Sequence, residues 1–505
     1  MAGLYAALDQ ALRRETAAVV IEWGGQAFSG PDLITEVEAA ARVLGAAGVQ
    51  RGDRVLVQVE KSLQAVFVYL AALRQGAVFV PLNTGYRARE FAYFLSDAEP
   101  ALVICDPSDA ADYAPMVEAA GARLLTLDAA GAGSFTETPV EAQPAPDAVT
   151  TTDDDLAAII YTSGTTGRSK GAMLSQANLL SNAQALGRIW GLSDKDILVH
   201  ALPLFHIHGL FISLNTALLA GTRVRLLPRF DVGLVLDALP GATVFMGVPT
   251  YYVRLLGDAR FDRSAAGDLR LCISGSAPLL METFDAFADR TGLELLERYG
   301  ISECGIIASN LPGGGIRRGA VGLPLPGVAL RIAGEDGTAL STGLVGSVEV
   351  RGPGVFQGYW RMPEKTRSEF RPDGFFITGD LGKLDDEGYL HLVGRAKDMV
   401  ITGGLNVYPS EIEAVIDALA PVQESAVIGV PHLDFGEAVV AVVRLRPGET
   451  ADADAIIGAL KSELAGFKAP KAVIFVDELP RNTMGKVEKA ALRNAHADLF
   501  ATTAA

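Results

Sequence analysis

The sequence is poor in cysteine and in positive charge. Its 505 residues include only three cysteines, Cys105, Cys272 and Cys304, and no two of them form a CxxC pair. We therefore expect neither a disulfide framework nor a thiolate metal site, which fits a reducing compartment such as the cytoplasm. The 60 acidic residues outnumber the 43 basic ones and give a formal net charge of −17. That excess repels nucleic acid and anionic membranes, so we expect neither as a partner.

The sequence also lacks a long hydrophobic run. No uninterrupted apolar stretch is long enough to span a bilayer, and Asp9 and Glu15 come before any sustained apolar segment. We therefore expect no export signal and no membrane anchor. With 49% hydrophobic and 20% charged residues the composition is typical of a globular protein. Its length is too great for one core and predicts two or more domains.

The order of apolar segments predicts an α/β fold. Residues 1–127 alternate strand-like runs with helical spacing, which is typical of βαβ units in a mostly parallel sheet. Residues 128–155 have the composition of a solvated connection. The alternation resumes at residue 156 and becomes rich in strand and turn residues after Gly313, which predicts a small barrel-like part. From about residue 398 the pattern indicates a separate α+β domain with a helix at 410–419, where Ser410 and Glu413 have the spacing of a capping box.

Residues 161–175, YTSGTTGRSKGAMLS, combine glycines, hydroxyls and two cations in a way that no hydrophobic core requires. An apolar run predicts a strand before this segment, and apolar spacing predicts a helix from residue 175, so we place a loop between a strand and a helix. Glycine lets the backbone approach an anion, while the hydroxyls and cations bind phosphate oxygens. The segment is therefore a candidate grip for nucleotide phosphates, although such a run on its own favours an ordinary surface loop.

Spacing excludes the two common glycine motifs for nucleotides. Ser169 precedes Lys170 where a Walker loop requires glycine, and Thr162 occupies the first glycine position of GxGxxG. The phosphate loop belongs to neither class.

Further segments carry chemistry-bearing side chains. SGSAPL at 274–279 and ERYGISE at 297–303 each follow an apolar run, as ligand-binding turns of doubly wound sheets do. Glu303, next to the hydroxyl of Ser302, is suited to Mg²⁺, but a solvated carboxylate at a helix start is equally favoured. Asp380 in TGD could bind both ribose hydroxyls, and Lys486 in PRNTMGK would on its own be an ordinary solvated lysine.

Taken together, the order YTSGTTGRSKG, ERYGISE, TGD, GRAKDMVITGGLNVYPSEIE and PRNTMGK resembles the acyl-adenylate-forming superfamily, which includes acyl-CoA synthetases, peptide-synthetase adenylation domains and luciferases. The resemblance covers essentially the whole chain. It implies an N-terminal domain of two α/β sheets and a small β-barrel over residues 1–395, a hinge at 396–397 centred on Lys397, and a small mobile α+β domain over 398–505. It also implies a ligase that joins an acid to a thiol through an acyl adenylate, with ATP, Mg²⁺ and CoA.

The resemblance implies these roles residue by residue. Lys486 and Glu303 are catalytic, and Glu303 holds Mg²⁺. Gly403 and Gly404 lie on the CoA side. The ATP or AMP contacts are Thr162, Ser163, Gly164, Thr165, Thr166, Gly167, Lys170, Ser276, Ala277, Pro278, Glu297, Tyr299, Gly300, Ser302, Asp380 and Arg395.

Several stretches beyond the shared motifs resemble malonyl-CoA synthetases, among them HALPLFHIHGLF at 200–211 and MGVPTYYVRLL at 246–256. The second charge of a dicarboxylate must be neutralised inside an apolar pocket, and arginine does this best. By this resemblance Arg254 and Arg298 read the acid, with the hydroxyl of Ser276. The alternatives are that Arg254 pairs with Asp258 on an exposed helix and that Arg298 supports a turn.

His206 and His208 have the spacing of metal ligands, but no cysteine or acidic partner accompanies them, so a catalytic, substrate-facing His206 is favoured over zinc. Ile207 and Ile306 are bulky where they would line the acyl pocket, which argues against long chains. The segment Gly305-Ile306-Ile307 departs from the malonate pattern. Methylmalonate or another short acid therefore remains open.

Two rival interpretations share the same motifs. A free-standing adenylation enzyme would load a pantetheine arm on a carrier protein, and a non-catalytic relative would only bind nucleotide. The presence of Lys486, Glu303 and Asp380 weakens the second. Besides its small-molecule substrates, a lysine acyltransferase that modifies Lys486 is the one partner protein that the resemblance suggests.

Overall fold

The computed structural model describes residues 3–14, 18–140, 144–162, 169–402, 405–432, 435–482 and 485–500. The chain forms two compact units. The first contains Met1–Arg318, Gly322–Ala329 and Arg351–Gly374, and the second contains Gly319–Val321, Leu330–Val350 and Phe375–Ala505. The domain boundaries at residues 396–397 stay a prediction.

Helices and strands occur along the whole described chain. In chain order the helices are α1 (Leu4–Leu12), α2 (Gly30–Ala46), α3 (Leu63–Arg74), α4 (Ala88–Ala98), α5 (Ala110–Ala119), α6 (Ser134–Glu137), α7 (Gln176–Ile189), α8 (Asn215–Ala220), α9 (Val232–Ala238), α10 (Pro249–Leu256), α11 (Met281–Thr291), α12 (Pro363–Ser368), α13 (Pro409–Asp417), α14 (Ala453–Glu463) and α15 (Lys489–Ala495), with a π-helix at His208–Leu214 and 3-10 turns at Ala396–Asp398 and Gly466–Lys468. The strands are β1 (Val19–Trp23), β2 (Gln26–Ser29), β3 (Arg54–Gln58), β4 (Val78–Pro81), β5 (Leu102–Cys105), β6 (Arg123–Thr126), β7 (Leu156–Thr162), β8 (Lys170–Ser175), β9 (Ile197–His200), β10 (Arg223–Leu226), β11 (Val244–Gly247), β12 (Leu271–Ser274), β13 (Leu295–Ile301), β14 (Gly305–Ser309), β15 (Leu323–Pro324), β16 (Ala329–Ala333), β17 (Gly346–Arg351), β18 (Phe376–Leu384), β19 (Leu390–Arg395), β20 (Val400–Thr402), β21 (Leu405–Val407), β22 (Val422–His432), β23 (Gly436–Leu445) and β24 (Ala472–Phe475).

The first unit contains two large sheets with helices between parallel strands. One sheet has the order β6-β5-β3-β4-β7-β8, and the other has the order β15-β14-β13-β12-β11-β9-β10-β1-β2. The strands that carry site residues, β9, β11, β12 and β13, run parallel to one another. Helix α3 is apolar on nearly every face and is buried along almost its whole length, as expected of a core helix. This confirms the predicted α/β class with two sheets.

Strands β7 and β8 come before and after residues 163–168, the middle of the segment predicted to bind phosphate, which lie outside the described residues. Strands β7 and β8 pair antiparallel, with Tyr161 opposite Gly171 and Leu156 opposite Ser175, and helix α7 begins only after β8. The helix predicted from residue 175 is confirmed, but residues 170–175, which were predicted to belong to the loop, form strand β8. The segment 170–175 is short and largely buried. Its backbone amides and carbonyls need partners, and they find them by pairing with β7 at the sheet edge.

The second unit contains a four-stranded sheet, β16-β17-β18-β19, where the sequence predicts the barrel-like part. It also contains a sheet in the order β21-β20-β23-β22, with β24 on β23, and helices α13 and α14 pack on the same apolar cluster. The predicted helix α13 is present, but the prediction of a capping box at its start was wrong. The helix starts at Pro409, the hydroxyl of Ser410 donates to the carbonyl of Val393, and Glu413 accepts from the amide of Val427.

Cys105, Cys272 and Cys304 are buried, and none of them forms a disulfide within the described part of the chain. Among the helices in that part, none is both long and apolar enough to cross a bilayer.

Candidate active site

Arg298 lies in the middle of β13, in a sheet interior that offers it almost no solvent. Its exposed fraction is 6%, and neither Nε nor Nη2 has a hydrogen-bond partner among the described residues. Burial lowers the pKa of Arg298 to about 10, so the guanidinium stays charged at neutral pH. A buried cation with two free donors is costly, which is typical of a group that awaits an anion.

The glycine at position 275 makes room for this guanidinium. A Cβ atom built on Gly275 would lie 2.3 Å from Cζ and 2.5 Å from Nε of Arg298. Gly275 directly follows β12, which pairs with β13 through Ser274 and Glu297. The SGSAPL turn and the ERYG strand are therefore adjacent.

Two histidines lie near Arg298. The amide of His208 donates to Nδ1 of His206 at 3.1 Å, and Nδ1 of His208 lies 3.1 Å from the hydroxyl of Ser276. Burial, and then the charge of Arg298, lowers the pKa of His206 to about 4 and that of His208 well below its usual value. Both rings are thus neutral at pH 7, and Nε2 of His208 has no partner among the described residues. Ser276 has a φ of 72°, a strained conformation for a non-glycine residue of the kind often found at binding sites.

Glu303 belongs to a second cluster, in which one phenol joins two carboxylates. The hydroxyl of Tyr359 lies 3.0 Å from Oε1 of Glu303 and 2.6 Å from Oε2 of Glu369. Lys170 lies 3.3 Å from Glu369 and 4.4 Å above the ring of Tyr359. Since a phenol has only one proton, only one of the two carboxylates can accept it. The oxygen-rich surroundings of Glu303 suit a hard cation such as Mg²⁺.

Sequence reasoning missed Tyr359 and Glu369. They lie more than 50 residues from Glu303 and in no recognised motif, so no local signal pointed to them. Only the fold brings them to Lys170 and Glu303.

The predicted ribose residues lie together in the second unit. Asp380 and Arg395 are register partners in β18 and β19, and Nε of Arg395 lies 2.8 Å from Oδ1 of Asp380. The TGD segment lies within β18, where the hydroxyl of Thr378 accepts from the amide of Asp380. The buried carboxylate is therefore rigidly placed.

Lys486 lies in the same unit, on a tight turn. Its amide donates to Oδ1 of Asn482 at 3.0 Å, and its carbonyl accepts from the amide of Asn482 at 2.9 Å. Burial lowers the pKa of Lys486, and the charges of Arg395 and Lys397 lower it further. Lys397 sits in the 3-10 turn Ala396–Asp398.

Arg481 supports this turn and was also missed. It donates to the carbonyl of Gly485 at 2.5 Å and pairs with Glu424 of β22. No sequence pattern connects Glu424 with the PRNTMGK segment, which lies 57 residues away.

The remaining predicted residues fall into three groups. Ile207 and Ile306 are buried. Arg254 is exposed near the end of α10. Its suggested partner Asp258 pairs with Arg260 instead, at 2.8 Å. Ala277 and Pro278 follow β12. Thr162 ends β7, and β13 contains Glu297, Tyr299 and Gly300 and is followed by Ser302. Burial raises the pKa of Glu297 to about 7. Ser163, Gly164, Thr165, Thr166 and Gly167, as well as Gly403 and Gly404, lie outside the described residues.

Known proteins resemble this chain along nearly its whole length. Residues 8–360 match the AMP-binding enzyme family, and residues 411–486 match the C-terminal domain of AMP-binding enzymes. A feruloyl-CoA synthase of Amycolatopsis sp is 35% identical over 485 residues, covering 95% of this chain and 96% of that protein. A mitochondrial malonate–CoA ligase of Mus musculus is 34% identical over 472 residues, covering 86% of this chain and 80% of that protein. The ATP-bound crystal structure of MatB from Rhodopseudomonas palustris is 50% identical, with a TM-score of 0.97 over 99% of this chain and 100% of that chain.

Proposed function

Because the chain belongs to the AMP-binding enzyme family and is an adenylate-forming CoA ligase, we propose that it activates malonate or methylmalonate and transfers the acyl group to CoA. The observation that carries this proposal is the buried Arg298 guanidinium with two free donors. A malonate–CoA ligase among the relatives supports it further.

The electrostatics of the pocket favour an acid with a second carboxylate. Neutral His206 and His208 cannot offset the charge of Arg298, and no carboxylate among the described residues pairs with it. The far carboxylate of malonate supplies that charge and accepts from both free donors, which is the strong bidentate geometry of arginine pairs. A monocarboxylate of equal length leaves the guanidinium unpaired, at a cost of several kcal/mol.

The reaction then proceeds in two steps. The near carboxylate of the acid attacks the α-phosphorus of ATP, the bond to the β-phosphate oxygen breaks, and pyrophosphate leaves. The CoA thiol loses its proton and attacks the acyl carbon, and AMP leaves with the bonding electron pair. Because both steps bring anions together, positioning and charge stabilisation carry most of the catalysis.

In this scheme each proposed residue has a simple task. The ammonium of Lys486 pairs with the attacking carboxylate and the α-phosphate, and Lys170 pairs with the pyrophosphate end. Asp380 accepts from the ribose hydroxyls and Arg395 holds Asp380 in place. Glu303 would hold Mg²⁺, which neutralises phosphate charge when bound.

A panel of acids tests the proposal. We expect ATP-dependent pyrophosphate release with malonate and methylmalonate to exceed that with acetate, propionate and succinate in kcat/KM. Replacing Arg298→Gln should lower kcat/KM for malonate by roughly 10²-fold, since it removes one partner of a buried ion pair, and should leave propionate turnover nearly unchanged. The control is Arg260→Gln, an exposed arginine after α10.

If malonate and methylmalonate were used no better than acetate by the wild-type enzyme, the assignment of the acid would be wrong. Replacing CoA with a pantetheine-bearing carrier protein in the same assay distinguishes the two thiol acceptors. Faster transfer to the carrier would contradict free CoA as the acceptor.

A further inference from the structure

A second buried cation, Lys61, lies in the first unit, and none of the roles above uses it. It follows strand β3, and its exposed fraction is 6%. Its ammonium lies 2.8 Å from the carbonyl of His200, 2.9 Å from the carbonyl of Leu202 and 2.8 Å from Nδ1 of His200. No carboxylate in the described part of the chain forms an ion pair with it. Burial lowers the pKa of Lys61 well below its usual value, but three neutral acceptors match the three N–H groups of an ammonium, so the geometry supports the protonated form.

Lys61 determines which nitrogen of His200 carries the proton. Burial, and then the charge of Lys61, lowers the pKa of His200 to about 3, so the ring is neutral and has one N–H. Because an ammonium can only donate, Nδ1 must accept from Lys61. The proton is then on Nε2, which lies 2.9 Å from the carbonyl of Gly209 and donates to it.

This chain of hydrogen bonds ends at the acid pocket. Gly209 lies in the first turn of the π-helix His208–Leu214, and π-helical turns are frequent at functional sites. His208, beside Gly209, contacts Ser276, and the charge of Arg298 lowers its pKa. Lys61 comes from the six-stranded sheet, whereas His200 ends β9 of the nine-stranded sheet. One side chain thus connects the ends of strands from two sheets at the turn that carries His206 and His208.

We propose that Lys61 is a positioning residue for the acid pocket, acting through His200 and Gly209 on the turn that carries His206 and His208. The inference rests on the proposed location of that pocket but not on the identity of the acid. Lys61 acts at the acid pocket alone, so its loss weakens acid binding while ATP binding stays unchanged. A lysine that only stabilised the fold would affect both substrates together.

The test is the KM for each substrate in Lys61→Met, which keeps the length of the side chain and removes its donors. The acid is whichever member of the panel the wild-type enzyme uses best. We expect KM for the acid to rise about tenfold, equivalent to one lost charged hydrogen bond, and KM for ATP to stay within about twofold. Lys61→Gln keeps a neutral donor, so its KM for the acid should lie between those of the wild-type enzyme and Lys61→Met. The matched control is Lys195→Met, an exposed lysine just before β9.

A double variant tests the route through His200. If Lys61 acts through this ring, Lys61→Met combined with His200→Phe should raise KM for the acid no more than the worse single variant does. Additive effects, equal rises in both KM values, or an unchanged KM for the acid would each overturn the proposal. If Lys61→Met does not fold, the same comparison is made with Lys61→Gln. Because the acid is chosen by wild-type activity, a failure of malonate in the panel leaves this test intact.

Discussion

Three largely buried cations of the first unit differ in how their charge is compensated. Lys170 pairs with Glu369, Lys61 donates to three neutral acceptors, and Arg298 keeps two donors free within the described residues. Burying charge without a partner costs more free energy than most single contacts return. Such an arrangement persists where a ligand completes it, and this is the basis of the proposal that Arg298 selects the acid.

A substitution at Gly275 tests the proposed acid pocket without removing a charged group. Replacing Gly275→Ala places a Cβ about 2.3 Å from the guanidinium carbon of Arg298, so the guanidinium must shift. We expect KM for the acid to rise roughly tenfold while the melting temperature changes little, because the flexible end of the side chain can move. Steady-state kinetics and a thermal melt measure the two effects.

The control for this substitution is Gly458→Ala in α14, where an added Cβ meets no atom within 4 Å. An unchanged KM for the acid in Gly275→Ala would show that the position of Arg298 does not limit acid binding.

Helix α7 follows strand β8 and contacts Ile306, a residue predicted to line the acyl pocket. Ser175 and Asn178 form its capping box, and Nδ2 of Asn178 donates to the carbonyls of Pro353 and Val355. One turn later the side chain of Asn182 bonds both main-chain groups of Ile306, at 2.8 Å and 3.1 Å. One helix thereby fixes the start of β14, next to Glu303.

Replacing Asn182→Ala should therefore destabilise the protein and disturb the pocket at the same time. It leaves the amide and the carbonyl of Ile306 without this partner, and we expect the free energy of unfolding to fall by about 2 kcal/mol. Chemical denaturation measures the loss. KM for the acid should rise as well, since Ile306 is placed by this contact.

Gln184→Ala, on the exposed face of α7, is the control and should leave both quantities unchanged. A loss of stability with normal acid kinetics would mean that Asn182 supports the fold alone.

The proposed catalytic groups of the protein are divided between the two compact units. Arg298, Glu303 and Lys170 belong to the first, whereas Asp380 and Lys486 belong to the second. In the proposed scheme Lys486 of the second unit acts in the first half-reaction, so measuring the two half-reactions separately isolates its contribution.

Replacing Lys486→Ala should reduce adenylate formation by roughly 10² to 10³-fold or more, by analogy with the loss of an oxyanion donor. Preformed acyl adenylate should still react with CoA, because the second step does not need the ammonium. Pyrophosphate release measures the first step, and acyl-CoA formation from synthetic adenylate measures the second. Equal loss of both steps in a folded variant would contradict this division of roles.

The class of fold and the motifs of the nucleotide site could be predicted from the amino-acid order without a structure. Apolar periodicity is local, so it predicted strand β7 and helices α7 and α13 close to their observed bounds. The motif order was likewise readable because each motif is contiguous. It singled out Glu303, Asp380 and Lys486, whose roles remain proposals.

Which groups meet depended on the packing of the folded chain. Lys61 contacts His200 across 139 residues, and Lys170 contacts Glu369 across 199 residues. The same is true of the first turn of α13, where Ser410 and Glu413 bond residues outside the helix instead of capping it. The physical reason is that a buried polar group takes whichever partner the packed sheets bring within about 3 Å, and no local pattern of residues encodes that distance.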